Sequence, residues 1–462
     1  QEEDAPVRQG RDPAGGVYFS VEDGWVMEPW TGDYLKRHEV AKAFESLVET
    51  SAQESVFLVH AGFGMGKTFF LQRWAASLQS RGYPVVVFDA WRNDYLESPL
   101  AGFIENLRDF SNSIDDNEKK KDILKHTISF AQRAAPIVTR ASARIAARIL
   151  TLGVVEGDID TAKEIIASEM EANIKDVSDS TAHLFLRSAS QKQLHKELSD
   201  SFFGLIESIR HACDGKPVYI FIDELDRCRP NFAFDLLEDI KHFLGASGAH
   251  FFIFCDENAL QSQAATIFGN QRTGENYVSK FYSFRLRLPD SNLAPAALNF
   301  LSDKDPESFV NGPPSHYEHF AKYCDITQLS LRECKRLCER LVVVRRLRPN
   351  LAQSWPLVNV LCIIHTVFPS HFREFEREGC VTLPEQLRSE NIDDPLHNAI
   401  KWVIESDKKS VAAFEADIEG EDGQIVGYAT SLMNDVLGMP LNDPIRAKRL
   451  VAREVEWCSE LV

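Results

Sequence analysis

The sequence predicts an α/β fold: a parallel sheet covered by helices on both faces, with a large helical insertion and a helical C-terminal region. Three observations predict it. Short runs rich in apolar, β-branched and aromatic residues recur up to Asp290 and are separated by helical patterns. One of these runs leads directly into a glycine-rich turn and then a helix. Beyond Pro289 no comparable strand run appears, and the chain reads as mostly helical.

Taken in order, residues 1–31 read as an extended N-terminal segment, polar and without the apolar core of a signal peptide. The chain opens on Gln1 without an initiator methionine, so its natural start is expected upstream or removed. GDYLKRHEVAKAFESLVE (Gly32–Glu49) carries helical periodicity through Val40, Phe44 and Val48. SVFLVH (Ser55–His60) is the first strand, and the helix after the glycine turn is expected from about Lys67. VVVFDAW (Val85–Trp91), VYIFIDEL (Val218–Leu225) and HFFIFCDE (His250–Glu257) supply the next three strands. SFRLRLPD (Ser283–Asp290) is a fifth, alternating and cut off by Pro289. The pattern divides the chain into a core of residues 32–105 and 205–290, a helical insertion of residues 106–204 and a helical region of residues 291–462. LRECKRLCERLVVVRRL (Leu331–Leu347) and the Trp355–Phe375 segment are its clearest late helices, and the acidic stretch Glu415–Asp422 reads as a solvated loop.

Composition excludes several classes. The 462 residues are 44% hydrophobic and 26% charged, ordinary for a globular protein able to bury a core without staples. The nine cysteines include Cys213, Cys228, Cys255, Cys334 and Cys338 and form no CxxC pair, so neither a zinc site nor a disulfide framework is expected. They fit a reduced, cytoplasmic chain. A net charge of −18 does not indicate nucleic acid as a partner, although it leaves room for a local basic patch. No apolar run is long enough for a membrane span.

The glycine turn carries the chemistry. AGFGMGKTFFLQRW (Ala61–Trp74) places Gly62, Gly64 and Gly66 where backbone N–H groups must converge on an anion without Cβ obstruction. The following helix start adds its positive end, Lys67 a charge for the β and γ phosphates, and Thr68 a hydroxyl for Mg²⁺. Gly62, Phe63, Gly64, Met65, Gly66, Lys67, Thr68 and Phe69 are the candidate nucleotide-binding residues. Ala61 stands where the usual signature has glycine, at the strand's end, a position that tolerates it.

Mg²⁺ also needs a carboxylate at the end of another strand. Asp89 and Asp223 both end strands, but Asp89 is followed by Ala-Trp, whereas Asp223 is followed by Glu224. The pair divides the labour: Asp223 for the metal shell, Glu224 as general base toward water. Asp256, ending the fourth strand, is a candidate γ-phosphate sensor or an ordinary strand-end acid. No NKxD-type sequence follows late in the fold, so ATP is preferred to GTP.

Several ordered segments together resemble the KAP P-loop NTPases. DYLKRHEVAKAF (Asp33–Phe44) is similar to that family's entry motif, AGFGMGKTFFLQ to its nucleotide loop and VFDAWRND (Val87–Asp94) to its FNAW strand. FIDELDRCRP (Phe221–Pro230) is close to its hIDDLDRC strand. FCDENAL (Phe254–Leu260), YVSKFYSFRLRLP (Tyr277–Pro289) and SLRECKRL (Ser330–Leu337) resemble its sensing strand, fifth strand and NPRxxKR helix. The departures are Asp89 in place of Asn and Ser330-Leu331 in place of Asn-Pro. The resemblance implies a P-loop fold of the additional-strand (ASCE) type with strand order 5-1-4-3-2, and a Mg²⁺-dependent ATPase in which Lys67, Asp223 and Glu224 are catalytic. It also implies Arg227 and Arg332 as further sensor candidates, Arg227 either pairing internally or reaching a neighbouring subunit's γ-phosphate.

The same family often carries membrane helices in the gap between its second and third strands. Here Arg140, Arg144 and Arg148 line one helical face, which argues against a span. Such a basic amphipathic helix packs on the core, on a protein partner, on nucleic acid or on anionic lipid. Two functional readings follow. One is an ATPase that couples its nucleotide state to conformational change in protein partners of a defence or signalling complex, an antiviral operon such as the Qat type being one setting for bacterial relatives; a homo-oligomer is compatible with it. The other is a nucleotide-gated scaffold with little turnover.

Overall fold

The computed structural model describes residues 29–50, 55–96, 98–138, 182–243, 248–269, 271–289, 292–304, 306, 314–327, 329–348, 355–387, 395–407 and 444–459. The basic face at Arg140, Arg144 and Arg148 and the acidic stretch Glu415–Asp422 lie outside the described residues. By its contacts the chain divides into two units. The first comprises Arg37–Ala61 and Lys67–Leu288 with the segment ending at Asp33. The second comprises Pro289–Val462 with the short pieces Tyr34–Lys36 and Gly62–Gly66.

In the first unit the order is α1 (Arg37–Thr50), β1 (Val56–His60), α2 (Lys67–Ser80), β2 (Val85–Asp89), α3 (Ala90–Asn93), α4 (Pro99–Asn112), α5 (Asn117–Val138), α6 (Ala182–Ala212), β3 (Val218–Asp223), a short 3₁₀ turn (Leu225–Arg227), α7 (Pro230–Phe243), β4 (Ala249–Cys255), α8 (Glu257–Phe268), α9 (Gln271–Val278), a second 3₁₀ turn (Ser279–Phe281) and β5 (Phe284–Arg287). The five strands form one sheet ordered β2-β3-β4-β1-β5, and every pairing is parallel.

Alternation sorts the strand residues onto two faces. Phe57, Phe221, Phe252 and Phe254 share a face with α1 and α2, where Trp74 is fully buried, 4.9 Å from Phe221 and 4.8 Å from Phe252 between ring centroids. The helix was built for this: Phe70, Leu71, Trp74, Ala75 and Leu78 recur at helical spacing and are its buried stripe. Val56, Leu58, Phe88, Ile220, Ile222 and Phe251 belong to a core shared with α4–α7, which includes Phe103, Phe130, Phe202 and Phe243. Phe130 of α5 and Phe202 of α6 lie 5.3 Å apart, and Phe202 is 4.7 Å from Phe243. The described parts of the insertion are therefore sheet-covering helices. Their apolar faces close the second side of a parallel sheet, which such a sheet requires. The edge strand β5 differs from its neighbours, since Phe284, Arg285 and Arg287 are exposed.

The second unit is helical among its described residues: α10 (Ala294–Lys304), α11 (Pro314–Ile326), α12 (Leu331–Leu347), α13 (Trp355–Val367), α14 (Pro369–Glu378), α15 (Pro395–Glu405) and α16 (Pro444–Ser459). They close over one core containing Phe320, Leu337, Leu341, Leu361, Ile364, Phe375, Val403 and Val451.

Candidate nucleotide site

Strand register gathers the site at the carboxyl ends of the sheet, where open α/β sheets take their ligands. Asp89 pairs across from Asp223, and His60 from Cys255. Ala61 extends the β1–β4 ladder by one bond, its N–H donating to the Cys255 carbonyl at 3.3 Å. His60 is fixed there as well. Its Nδ1 accepts from the Glu257 N–H at 3.1 Å, which requires an unprotonated ring nitrogen, and burial holds the imidazole pKa below its usual value. The turn that follows reverses through Gly64 (φ 78°) and Gly66 (φ 83°), left-handed positions where a side chain would be strained. Phe63 at its tip is exposed, and Phe69, half-buried in the first turn of α2, lies under the Arg73 guanidinium at 5.0 Å.

α2 begins at Lys67, so the lysine and Thr68 occupy its first turn. Lys67 is buried; its Nζ donates to the Ala61 carbonyl at 2.8 Å and stands 3.9 Å from Asp226 Oδ2. Thr68 Oγ1 donates to Asp223 Oδ2 at 2.7 Å, although the two residues are 155 positions apart. Asp223 is 4% exposed, and its carboxyl is pushed up to about 6. Burial is the main cause and the charges of Glu224 and Asp89 add to it, while bonds from the Thr68 hydroxyl and the Glu224 N–H oppose it. A threonine hydroxyl beside a buried carboxylate is a pair of hard oxygen donors, the chemistry Mg²⁺ accepts. Among the described residues no group of three or more His, Cys, Asp or Glu side chains forms a metal cage.

Glu224 follows in an unusual backbone state, φ 58° and ψ 27°. For a residue with a Cβ this left-handed conformation costs of order 1–3 kcal/mol. Its carboxylate lies 2.9 Å from Arg227 Nη1, and the Arg227 guanidinium stands over the Trp91 ring at 5.5 Å. Asp89 is spent locally: its side chain caps α3 by accepting from the Arg92 N–H at 3.0 Å, and it pairs with Arg92 Nε at 3.2 Å. Asp256 likewise caps α8, accepting from the Asn258 N–H at 3.0 Å. Its own N–H donates to Asp226 Oδ2 at 2.8 Å.

Asp226 is the residue whose part sequence reasoning missed. Its side chain is 1% exposed, Oδ1 is buried without a hydrogen-bond partner, and Oδ2 faces both Lys67 and the end of β4. Burial raises its pKa, against the Asp256 N–H and the Lys67 charge. The signal was present as the last acid of DELD, three residues after Asp223. Arg332 belongs to the second unit, where its backbone N–H donates to the Gly64 carbonyl at 3.2 Å. It sits in the first turn of α12, which Ser330 and Glu333 close with a reciprocal capping box. The Ser-Leu departure thus keeps a well-made helix start.

A five-stranded parallel sheet, a glycine turn running into a helix at Lys67, and a threonine hydroxyl bonded to a strand-end aspartate define a P-loop nucleotide-binding domain. The family model described as the KAP family P-loop domain matches residues 37–348, and the chain belongs to that family. No curated protein matches it. Among the described residues, no helix is long and apolar enough to cross a membrane.

Proposed function

We propose that this chain binds ATP with Mg²⁺ at the carboxyl ends of β1 and β3 and hydrolyses it, as an ATPase of the additional-strand type. The contact between Thr68 Oγ1 and Asp223 Oδ2 carries the reading, because it joins the phosphate turn to the acid strand across 155 residues of sequence. β4 lies between β1 and β3, the insertion for which the type is named. Lys67 exchanges the Ala61 carbonyl and the Asp226 carboxylate for phosphate oxygens. Thr68 and Asp223 hold the metal, which when bound neutralises phosphate charge. Glu224 takes a proton from water as that water's oxygen forms a bond to the γ phosphorus and the bond to the β–γ bridging oxygen breaks, leaving ADP and phosphate. The hydrolytic cycle would then act on protein partners of the chain.

Two variants test the site. Lys67→Ala should weaken ATP binding at least about tenfold, since it removes a buried cation facing the phosphates. Glu224→Gln should keep ATP binding while phosphate release falls by about 10²–10⁴. Both are measured on purified chain by equilibrium binding and phosphate release. Normal ATP binding by Lys67→Ala refutes the site. A wild-type chain that binds ATP but releases no phosphate, with its partners present, refutes hydrolysis and leaves the scaffold reading.

A further inference from the structure

We infer that Arg227, seated on Trp91, is a latch on Glu224 that must let go before the carboxylate can serve as a base; the inference rests on the reading of Glu224 just given. Three observations meet at this point. Glu224 holds a left-handed backbone, and it is pinned on both sides. Its N–H donates to Asp223 Oδ1 at 3.0 Å, and its carbonyl accepts from the Arg227 N–H at 3.1 Å. The backbone is committed, so only rotation of the side chain can present the carboxylate to a different partner. That side chain is given to Arg227 Nη1 at 2.9 Å. A charge-assisted bond to a guanidinium holds the carboxylate in one orientation, turned to Arg227.

Trp91 gives the latch its seat. A tryptophan 53% exposed on the first helical turn after β2 covers no core, and the bonds that set α3 come from Asp89 rather than from this ring. What the indole faces is the Arg227 guanidinium, 5.5 Å from its centroid. A flat cation over an indole face is held in one orientation, and arginine suits this far better than lysine. The tryptophan of the DAW segment and the arginine of DELDR, distant in sequence, thereby act on one carboxylate. Both are positioning residues, acting through Glu224.

The test separates turnover from affinity. Arg227→Gln removes the charge and keeps a polar side chain; Trp91→Leu removes the ring and leaves Arg227 without its seat. Arg227→Gln should raise phosphate release at saturating ATP by about threefold or more, with the half-saturating ATP concentration unchanged within about twofold. Trp91→Leu should move turnover the same way by a smaller factor, and the double variant should match Arg227→Gln, because both act through one latch. Thermal melts of each variant establish that it is folded. A chain that binds no ATP overturns the reading of the site, and this inference with it. ATP binding with turnover that stays level or falls in folded Arg227→Gln overturns the inference alone, as does a double variant whose effects multiply.

Discussion

Asp239 gives the sharpest test of the electrostatics in the first unit. It lies on α7 beside Ile240, whose face joins the sheet core, and the charges acting on it are those of Asp235 and Glu238. Burial first, then these two like charges, push its carboxyl up to about 7 from an ordinary 3.8. The ionised form is therefore less favourable in the fold than in the open chain by about 4 kcal/mol at most, at about 1.4 kcal/mol per pH unit. The sign follows from linkage. Between the unfolded and folded values the native chain holds a proton that the unfolded chain has lost, so stability falls as pH rises through that window and levels off above it. Asp239→Asn cannot ionise and loses this slope. Denaturant unfolding of wild type and variant should therefore show a gap that widens between about pH 4 and about pH 7 and is level by about pH 8, with the variant more stable by on the order of 2–4 kcal/mol there. A gap that does not change with pH, or a variant less stable at high pH, refutes the reasoning.

Two further outcomes follow from packing and polar burial. Trp74→Ala should cost about 3–5 kcal/mol in denaturant unfolding, because the indole is fully buried among Phe44, Phe70, Phe221 and Phe252 and its Nε1 donates to Glu45 at 2.8 Å. Asp226→Ala strands the Asp256 N–H and should cost about 1–3 kcal/mol, whereas Asp226→Asn, which can still accept that bond, should cost measurably less. Equal losses for both Asp226 variants in the same assay would show that the bond to Asp256 is not what holds the pair.

Five strand runs, the glycine turn and the start of α2 were readable because each is encoded locally. Strand periodicity, glycine at left-handed positions and the stripe from Phe70 to Leu78 need no distant partner to be recognised. The choice of Asp223 over Asp89 came from the adjacent Glu224; in the fold Asp89 caps α3, while Asp223 meets the Thr68 hydroxyl. The order of the strands was not contained in the runs themselves and entered only through family resemblance. β5 read as a strand from its alternation, but its exposure follows from its place at the edge of the sheet.

What the sequence by itself determined, then, is a set of local commitments: which segments extend, where the chain turns, and which groups are able to meet a phosphate or a metal. The tertiary structure alone decided the pairings. Strand register brought Thr68 to Asp223, burial turned Asp226 into the acid facing Lys67, and the turn after β3 set Arg227 between Glu224 and Trp91. The physical reason is that a periodic pattern constrains neighbours along the chain, whereas a buried charge is defined by whatever the sheet order places within a few ångströms of it.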